Sequence, residues 1–77
     1  MEITVLFFGV IAEVTGTHIK TYNGVKSYGD LKYRIQDDFP EMIHYDFRIA
    51  VNNQIVNEEP VLKTGDEVAY LPPFAGG

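Results

Sequence analysis

The amino-acid sequence predicts an α+β fold in which one main helix lies across one face of a mixed β-sheet. Residues 3–8 form a β-branched and aromatic run that is typical of a strand. Residues 27–39 carry apolar side chains at spacings of three and four, which indicates an amphipathic helix. Residues 47–52 alternate between two faces, which indicates a further strand with one buried side.

The first part of the chain is predicted to contain two strands separated by a short helical turn. Gly9 interrupts the first strand, and residues 10–14 can form a helical turn that stops at Gly16. Residues 17–22 are predicted to form the second strand. The Asn-Gly pair at 23–24 then supplies residues that favour a turn.

The main helix is predicted to begin after Ser27. Ser27 followed by Asp30 three positions later resembles a capping box. The helix should end near residue 39, because Pro40 disfavours helical geometry in the residue before it. The apolar stripe that faces the sheet contains Tyr28, Leu31, Ile35 and Phe39.

Three further strands are predicted in the C-terminal part of the chain. In the strand at 47–52 the odd-numbered residues point to one face and the even-numbered residues to the other. A turn at 53–54 leads into a short strand at 55–56, and the last strand covers 67–71. The prolines at 72–73 end it because proline cannot donate to a sheet ladder. Two strands, a helix and then the remaining strands is the order of the β-grasp (ubiquitin-like) fold.

Composition indicates one small folded domain, and it excludes several classes of function. The 77 residues suffice for a single domain spanning 1–77, with a flexible tail at 72–77. Six basic and eleven acidic residues give a net charge of −5, which disfavours nucleic-acid binding and favours basic protein partners. The absence of cysteine excludes disulfides and thiol chemistry, and it fits a cytoplasmic location.

Membrane and metal sites are not expected. No apolar run approaches the length of a membrane span, and the N-terminus lacks the basic segment of a signal peptide. His18 and His44 stand alone in the sequence, without the spacing of metal ligands.

One helix can cover only one side of the predicted sheet, yet the other side is also apolar. Alternation in the first and last strands puts the following residues on that uncovered side: Leu6, Phe8, Ala69 and Leu71. Ile55 could extend the patch. Large exposed apolar patches are rare in monomers, so the sequence predicts a partner interface here. The alternative is that the loops at 9–16 and 57–65 fold over this side and bury it.

The C-terminal tail is the strongest candidate for a functional segment. It consists of Pro72, Pro73, Phe74, Ala75, Gly76 and Gly77. Six extended residues reach about 20 Å. The prolines favour extended geometry, and the two glycines fit a slot too narrow for other residues. This arrangement suits delivery of the Gly77 carboxylate into the active site of another protein, although a frayed, inert end is the simpler alternative.

The Gly77 carboxylate would need activation before it could carry sulfur. It is ionised at neutral pH and is a poor electrophile. Adenylation by ATP would provide a leaving group, which a sulfur nucleophile could displace to leave a thiocarboxylate. The sequence has no phosphate-binding glycine loop, so the ATP chemistry must come from a partner enzyme.

The chain resembles the MoaD/ThiS ubiquitin-like sulfur carriers, and within them the MoaD type, the small subunit of molybdopterin synthase. The opening Val5-Leu6-Phe7-Phe8-Gly9, the central Ala50-Val51-Asn52 and the closing segments 65–69, 72–73 and 76–77 carry the resemblance. The resemblance implies that an E1-like adenylyltransferase activates Gly77 and that sulfur is loaded as a thiocarboxylate. The carrier then docks on the large synthase subunit, in a heterotetramer, and donates sulfur for the dithiolene of molybdopterin.

The resemblance also implies that Phe8, Ile55 and Leu71 belong to the apolar contact surface of the family. It implies no bound cofactor, since ATP and the sulfur donor act through partner enzymes. Two positions depart from the family pattern: Ala12 replaces a common arginine, and Phe74 replaces a small or β-branched residue. They suggest altered polar contacts near the first turn and a partner groove with room for an aromatic ring.

Three other functions share parts of this pattern. A sulfur carrier for the thiazole pathway or for a tungsten pterin would have the same fold and tail. A ubiquitin-like modifier would use the same activation but join Gly77 to lysines. A plain β-grasp binding module would have an inert tail.

Overall fold

A computed structural model describes residues 1–73. The strands within this range are β1 (Ile3–Phe7), β2 (Ile19–Tyr22), β3 (Arg48–Val51), β4 (Gln54–Val56) and β5 (Glu67–Leu71). The helices are α1 (Gly9–Thr15), α2 (Tyr28–Asp38) and a 3₁₀ helix at Pro40–His44. None of the helices in the described part of the chain is long and apolar enough to cross a membrane.

The strands form one mixed sheet in the order β2-β1-β5-β3-β4. The central strands β1 and β5 are parallel, and every other neighbouring pair is antiparallel. Because β1 and β5 run in the same direction, the residues that follow them, Gly9 and Pro72, come out at the same end of the sheet. This topology confirms the predicted α+β class and the β-grasp order.

The hydrophobic core lies between α2 and one face of the sheet. Leu31 and Ile35 of α2 are buried against it, as the periodicity predicted. The ring of Phe7 packs against those of Phe39 and Tyr70, with centroid distances of 5.5 and 5.9 Å. The other fully buried side chains of the core are Ile3, Val5, Ile11, Val25, Met42 and Val68.

The N-terminus of α2 is capped as the sequence predicted, with one difference. Ser27 Oγ accepts a hydrogen bond from the backbone N–H of Asp30 at 3.1 Å. The Asp30 carboxylate reaches one residue further back than in a standard capping box and accepts from the N–H of Lys26 at 2.9 Å. The hydrogen bond from the Lys26 N–H holds the pKa of Asp30 below its usual value, with the Arg34 guanidinium adding to the effect.

The C-terminus of α2 is fastened to strand β2 through Asp38. Its carboxylate accepts hydrogen bonds from Lys20 Nζ at 2.6 Å and from Tyr22 Oη at 2.7 Å. Lys20 also lies over the ring of Phe39, 5.3 Å from the centroid. The hydrogen bonds from Lys20 and Tyr22 lower the pKa of Asp38.

Two local predictions differ from the structure. The turn between β3 and β4 is formed by Asn52 and Asn53, with φ of 49° and 72°, one residue earlier than the predicted 53–54. Asparagine tolerates this left-handed region better than most residues, so the Asn-Asn pair is the turn and Gln54 begins β4. The 3₁₀ helix at Pro40–His44 was not predicted; it places Met42 in the core.

Candidate functional site

The face of the sheet opposite α2 carries an apolar band that crosses all five strands. Residues directly opposite each other on neighbouring strands share a face. The strand register aligns Ile19, Leu6, Ala69, Ala50 and Ile55 in one row from β2 to β4. We call this side of the sheet the open face.

A second row of the open face lies toward the end of the sheet from which the tail leaves. Leu71 is paired with Arg48, and Phe8 extends the β1–β5 pairing because its N–H donates to the carbonyl of Tyr70 at 3.1 Å. Alternation along each strand puts all three side chains on the same side as Leu6 and Ala69. The five residues predicted to form a partner interface, Leu6, Phe8, Ile55, Ala69 and Leu71, therefore lie on one continuous surface.

The open face is not buried by the loops that could have covered it. Phe8 and Ile55 are each 44% exposed, and Ile19 is 57% exposed. The loop segments 9–16 and 57–65 send Ile11 and Leu62 into the core on the α2 side. The alternative in which these loops bury the patch is therefore wrong.

Polar groups border the apolar band at both ends. On the tail side, Arg48 donates to the Asn57 side-chain carbonyl at 3.1 Å. On the other side, Asn52 donates to the Asp66 carboxylate at 3.0 Å and accepts from the Glu67 N–H at 2.9 Å. The Asn52 hydrogen bond, with another from the N–H of Lys63, lowers the pKa of Asp66. The open face thus has an apolar centre with hydrogen-bonded polar side chains at both ends.

The chain leaves the sheet next to the start of α1. Gly9 has φ of +56°, and a β carbon built on it would lie 2.9 Å from Pro72 Cγ. Only glycine combines that backbone conformation with so close an approach. The first residue of the predicted tail is thus seated against Gly9, at the end of the sheet that carries Phe8 and Leu71. The predicted tail residues Phe74, Ala75, Gly76 and Gly77 lie outside the described residues.

Sequence reasoning missed three members of the open face: Ile19, Ala50 and Arg48. Alternation did place Ala50 and Arg48 on the side of β3 opposite Phe47. What it lacked was the pairing of β3 with β5, which requires the register of strands far apart in sequence. With that register, the same alternation would have found them.

Titratable side chains elsewhere in residues 1–73 do not assemble into a metal site. No group of three or more His, Asp or Glu side chains in that range is placed to hold a metal ion. A shallow depression beside α1 contains Glu13 and His18, and the charged residues of a cleft between α2 and β3–β4 are Lys32, Arg48, Glu58 and Glu59.

Comparison with known proteins assigns the chain to a protein family. The model of the ThiS family matches residues 5–77. A Mycobacterium tuberculosis protein named molybdopterin synthase sulfur carrier subunit is 32% identical over 83 aligned residues, covering 100% of this chain and 99% of that protein.

Solved structures agree on the fold. A chain in the complex of subunits 1 and 2 of the molybdopterin-converting factor from Helicobacter pylori is 25% identical, with a TM-score of 0.75 and full coverage of both chains. The small archaeal modifier protein 1 of Methanosarcina acetivorans is 24% identical with a TM-score of 0.81, covering 99% of this chain and 96% of that one. The similarity to the Methanosarcina acetivorans protein concerns the fold alone.

Proposed function

The chain belongs to the ThiS family, and from that premise we propose that it is a sulfur carrier whose working group is the carboxylate of Gly77. The observation that carries the proposal is that the tail leaves the sheet at the end that presents Phe8 and Leu71 on an uncovered apolar surface. A partner that binds the open face would therefore be in position to receive the tail. The whole-length similarity to a sulfur carrier subunit supports the same function.

The proposed chemistry takes place at the main-chain terminus and needs two partner activities. An E1-like adenylyltransferase joins the Gly77 carboxylate to the AMP of ATP and releases pyrophosphate. A sulfide or persulfide nucleophile then displaces AMP; with a persulfide, a thiol cleaves the remaining S–S bond. The product is a thiocarboxylate, whose sulfur is a far better nucleophile than the original carboxylate oxygen.

The proposed acceptor is a pterin, with the large subunit of molybdopterin synthase as the partner that holds it. The Helicobacter pylori structure, a complex of two converting-factor subunits, supports a large-subunit partner for this chain. The carrier would dock through the open face and donate sulfur for the dithiolene of molybdopterin. By analogy with the family, the assembly would be a heterotetramer.

A ubiquitin-like modifier is the second candidate function. It would share the adenylation step but would end in an isopeptide bond between Gly77 and a lysine of a target protein. The similarity to an archaeal modifier protein concerns the fold, at 24% identity. The carrier function is supported by a relative with higher identity, 32% over the whole length of this chain. A carrier for a thiazole or tungsten-pterin pathway would differ only in its partner.

Intact-mass analysis tests the proposed chemistry directly. The chain is incubated with a cognate E1-like enzyme, ATP and a sulfur donor, and the terminal peptide is then sequenced by tandem mass spectrometry. We expect a mass gain equal to the exchange of one oxygen for sulfur, located at Gly77. A variant lacking Gly76 and Gly77 should keep its fold and gain no sulfur. An unchanged mass, or a sulfur atom located elsewhere, would refute the proposal.

A further inference from the structure

A pocket lies on the α2 side of the sheet, opposite the open face. It has a volume of about 200 Å³ and is formed by α2, the 3₁₀ helix and the residues that lead into β3. Its apolar and aromatic lining consists of Ile35, Met42, Ile43, Tyr45, Phe47 and Tyr70. A cavity of about 150 Å³ with apolar walls holds a benzene ring, so this pocket has room for one aromatic side chain. We call it the aromatic pocket.

The rim of the aromatic pocket is apolar and open to solvent. Ile43 is 78% exposed and Tyr45 is 40% exposed, whereas Met42 is buried and belongs to the floor. Because Ile43 and Tyr45 border the same cavity, they form one exposed apolar surface rather than two scattered side chains. Such a surface around a cavity indicates a place that another apolar group covers.

The register of β3 with β5 leads from the last paired residues to this rim. Arg48 is paired with Leu71, and the two strands are antiparallel. Three positions further along both chains, the same register brings Tyr45 opposite Phe74, the first residue beyond the described range. Tyr45 has an extended backbone, with φ of −124° and ψ of 140°. The prolines at 72–73 also favour extended geometry, so they continue the direction of β5.

Alternation places both of these residues on the side of the sheet that carries the aromatic pocket. The rings of Phe47 and Tyr70 pack against each other on the α2 side, with centroids 4.8 Å apart. Tyr45 is two positions from Phe47, and Phe74 is four positions from Tyr70. Because extended residues separated by an even number of positions share a face, the side chain at position 74 is directed to the α2 side.

The hydrogen-bond pattern of the ladder favours a side-chain contact at this position. The N–H of Asn52 donates to the carbonyl of Glu67 at 2.8 Å, so every second pair from there on is a hydrogen-bonded pair. Position 74 falls on a non-hydrogen-bonded pair, in which the Cα atoms are only about 4.5 Å apart and the side chains are closest. Pro73 cannot donate the backbone hydrogen bond of the pair before it. The ring at position 74, rather than the backbone, would therefore provide the contact.

We propose that in the free protein the Phe74 ring occupies the aromatic pocket and holds the base of the tail on the α2 side of the sheet. The ring packs beside Tyr45 and covers Ile43. Cross-strand aromatic pairs stabilise modestly, so the contact orders the tail and is still exchanged for contacts with a partner.

The consequence for sulfur delivery rests on the proposed function. A partner bound to the open face lies on the other side of the sheet, so the base of the tail has to turn round the end of the sheet to reach it. Phe74 then leaves the aromatic pocket. Only the fraction of molecules with a released tail is ready to deliver the Gly77 carboxylate, which lowers the apparent affinity for the partner in proportion.

Methyl NMR of the free, full-length protein tests the contact without any partner. An aromatic ring shifts the signals of methyl groups that pack against it. We expect Phe74→Ala to shift the methyl signals of Ile43, at the rim of the pocket, and to leave those of Ile19, on the open face, unchanged. If the Ile43 signals are the same in wild type and Phe74→Ala, the proposal is wrong.

A matched double variant tests the register. Phe74→Ala combined with Ala75→Phe keeps the composition of the tail and moves the ring by one position, to the other face. We expect its Ile43 methyl signals to match those of Phe74→Ala. If they match wild type instead, a ring on either face reaches the pocket, and the pairing of position 74 with Tyr45 is wrong.

Removing a wall of the pocket tests whether the contact holds the tail back. Ile43→Gln leaves the tail sequence intact, and its side chain is exposed enough for the fold to tolerate the change. We expect it to bind the purified cognate large subunit about twofold to fivefold more tightly than wild type, because more molecules have a released tail. Val61→Gln is the control, since Val61 is 90% exposed and does not line the pocket. Isothermal titration calorimetry measures both variants.

The outcomes separate this proposal from the proposed function. If Ile43→Gln binds as wild type does, the pocket does not hold the tail back and that part of the proposal is wrong. If wild type does not bind the large subunit at all, the docking step of the proposed function is wrong, and the NMR comparison still decides whether Phe74 occupies the aromatic pocket.

Discussion

Gly9 and Pro72 are in direct contact: a β carbon on Gly9 would lie 2.9 Å from Pro72 Cγ. The contact joins Gly9, two positions after the end of β1, to Pro72, which directly follows β5, and these are the two parallel strands at the centre of the sheet. It therefore sets where the tail leaves the domain. Because Gly9 also has φ of +56°, a side chain here meets both backbone strain and a steric clash.

Gly9→Ala should destabilise the domain more than the same change at Gly16. Both glycines have positive φ, so both variants lose about 1 kcal/mol to backbone strain. A β carbon added at Gly16 would have no neighbouring atom within 4 Å, whereas one added at Gly9 would clash with Pro72. We expect an additional loss of about 1–3 kcal/mol for Gly9→Ala, measured by urea unfolding. If both variants lose the same free energy of unfolding, the Gly9–Pro72 contact does not restrict which residue can occupy position 9.

A charge on the open face should weaken partner binding without unfolding the domain. Phe8→Asp and Leu71→Asp each put a carboxylate into the proposed interface, where desolvation should cost about 2 kcal/mol or more of binding free energy. Val61→Asp is the control, because Val61 is 90% exposed and lies in the loop before β5. Affinity is measured by calorimetry and folding by thermal denaturation. A Phe8→Asp variant that unfolds would show that this side chain belongs to the core.

The ion pair at the end of α2 should make stability depend on acid pH. Asp38 has a lowered pKa because it accepts hydrogen bonds from Lys20 and Tyr22. Folding therefore favours the ionised carboxyl group, so its contribution is full above the unfolded-state pKa of about 4 and is lost as pH falls through the lower folded-state value.

Asp38→Asn should accordingly lower the free energy of unfolding at pH 7 by less than about 1 kcal/mol, since both charged side chains are partly exposed. The difference from wild type should shrink as pH falls through the lowered folded-state pKa of Asp38. Urea unfolding across this pH range measures it. Asp37→Asn, one residue earlier on α2, removes the same charge as a control. A difference that stays constant with pH would exclude a contribution from the carboxylate charge.

Much of the fold was readable from local patterns, because the signals were short-range. The Ser27 cap and the stripe of Leu31 and Ile35 specify α2 through spacings of three and four residues. The alternation at 47–52 correctly separated the core side chains of β3 from those that face outward. These features depend on contacts within one element, or on which side of it is buried.

The parts that could not be predicted depend on long-range register and on weak local preferences. The pairing of Ala69 with Ala50 joins strands nineteen positions apart in sequence, and no local pattern fixes it. The 3₁₀ helix around Met42 has few residues and weak periodicity, so its sequence does not distinguish it from a loop. For the open face, the outward-facing residues of each strand were therefore predictable, but their assembly into one continuous surface was not.

Asn52 and Asn53 offer a matched pair for testing the turn between β3 and β4. Both residues have positive φ, so replacing either with alanine costs about 1 kcal/mol in backbone strain. Only Asn52 also bridges to β5, through its hydrogen bonds with Asp66 and the Glu67 N–H. Asn52→Ala should therefore be less stable than Asn53→Ala by about a further 1–2 kcal/mol, measured by urea unfolding.

The same Asn52 variant has a second readout that a general loss of stability would not produce. The Asn52 hydrogen bond is the largest cause of the lowered pKa of Asp66, so Asn52→Ala should raise that pKa toward its ordinary value. In Asn53→Ala the pKa of Asp66 should be unchanged. Carboxyl-carbon chemical shifts followed by NMR across acid pH measure both variants. If the pKa of Asp66 is the same in both variants, Asn52 does not donate a hydrogen bond to the Asp66 carboxylate when the protein is in solution. The extra stability assigned to that hydrogen bond is then wrong.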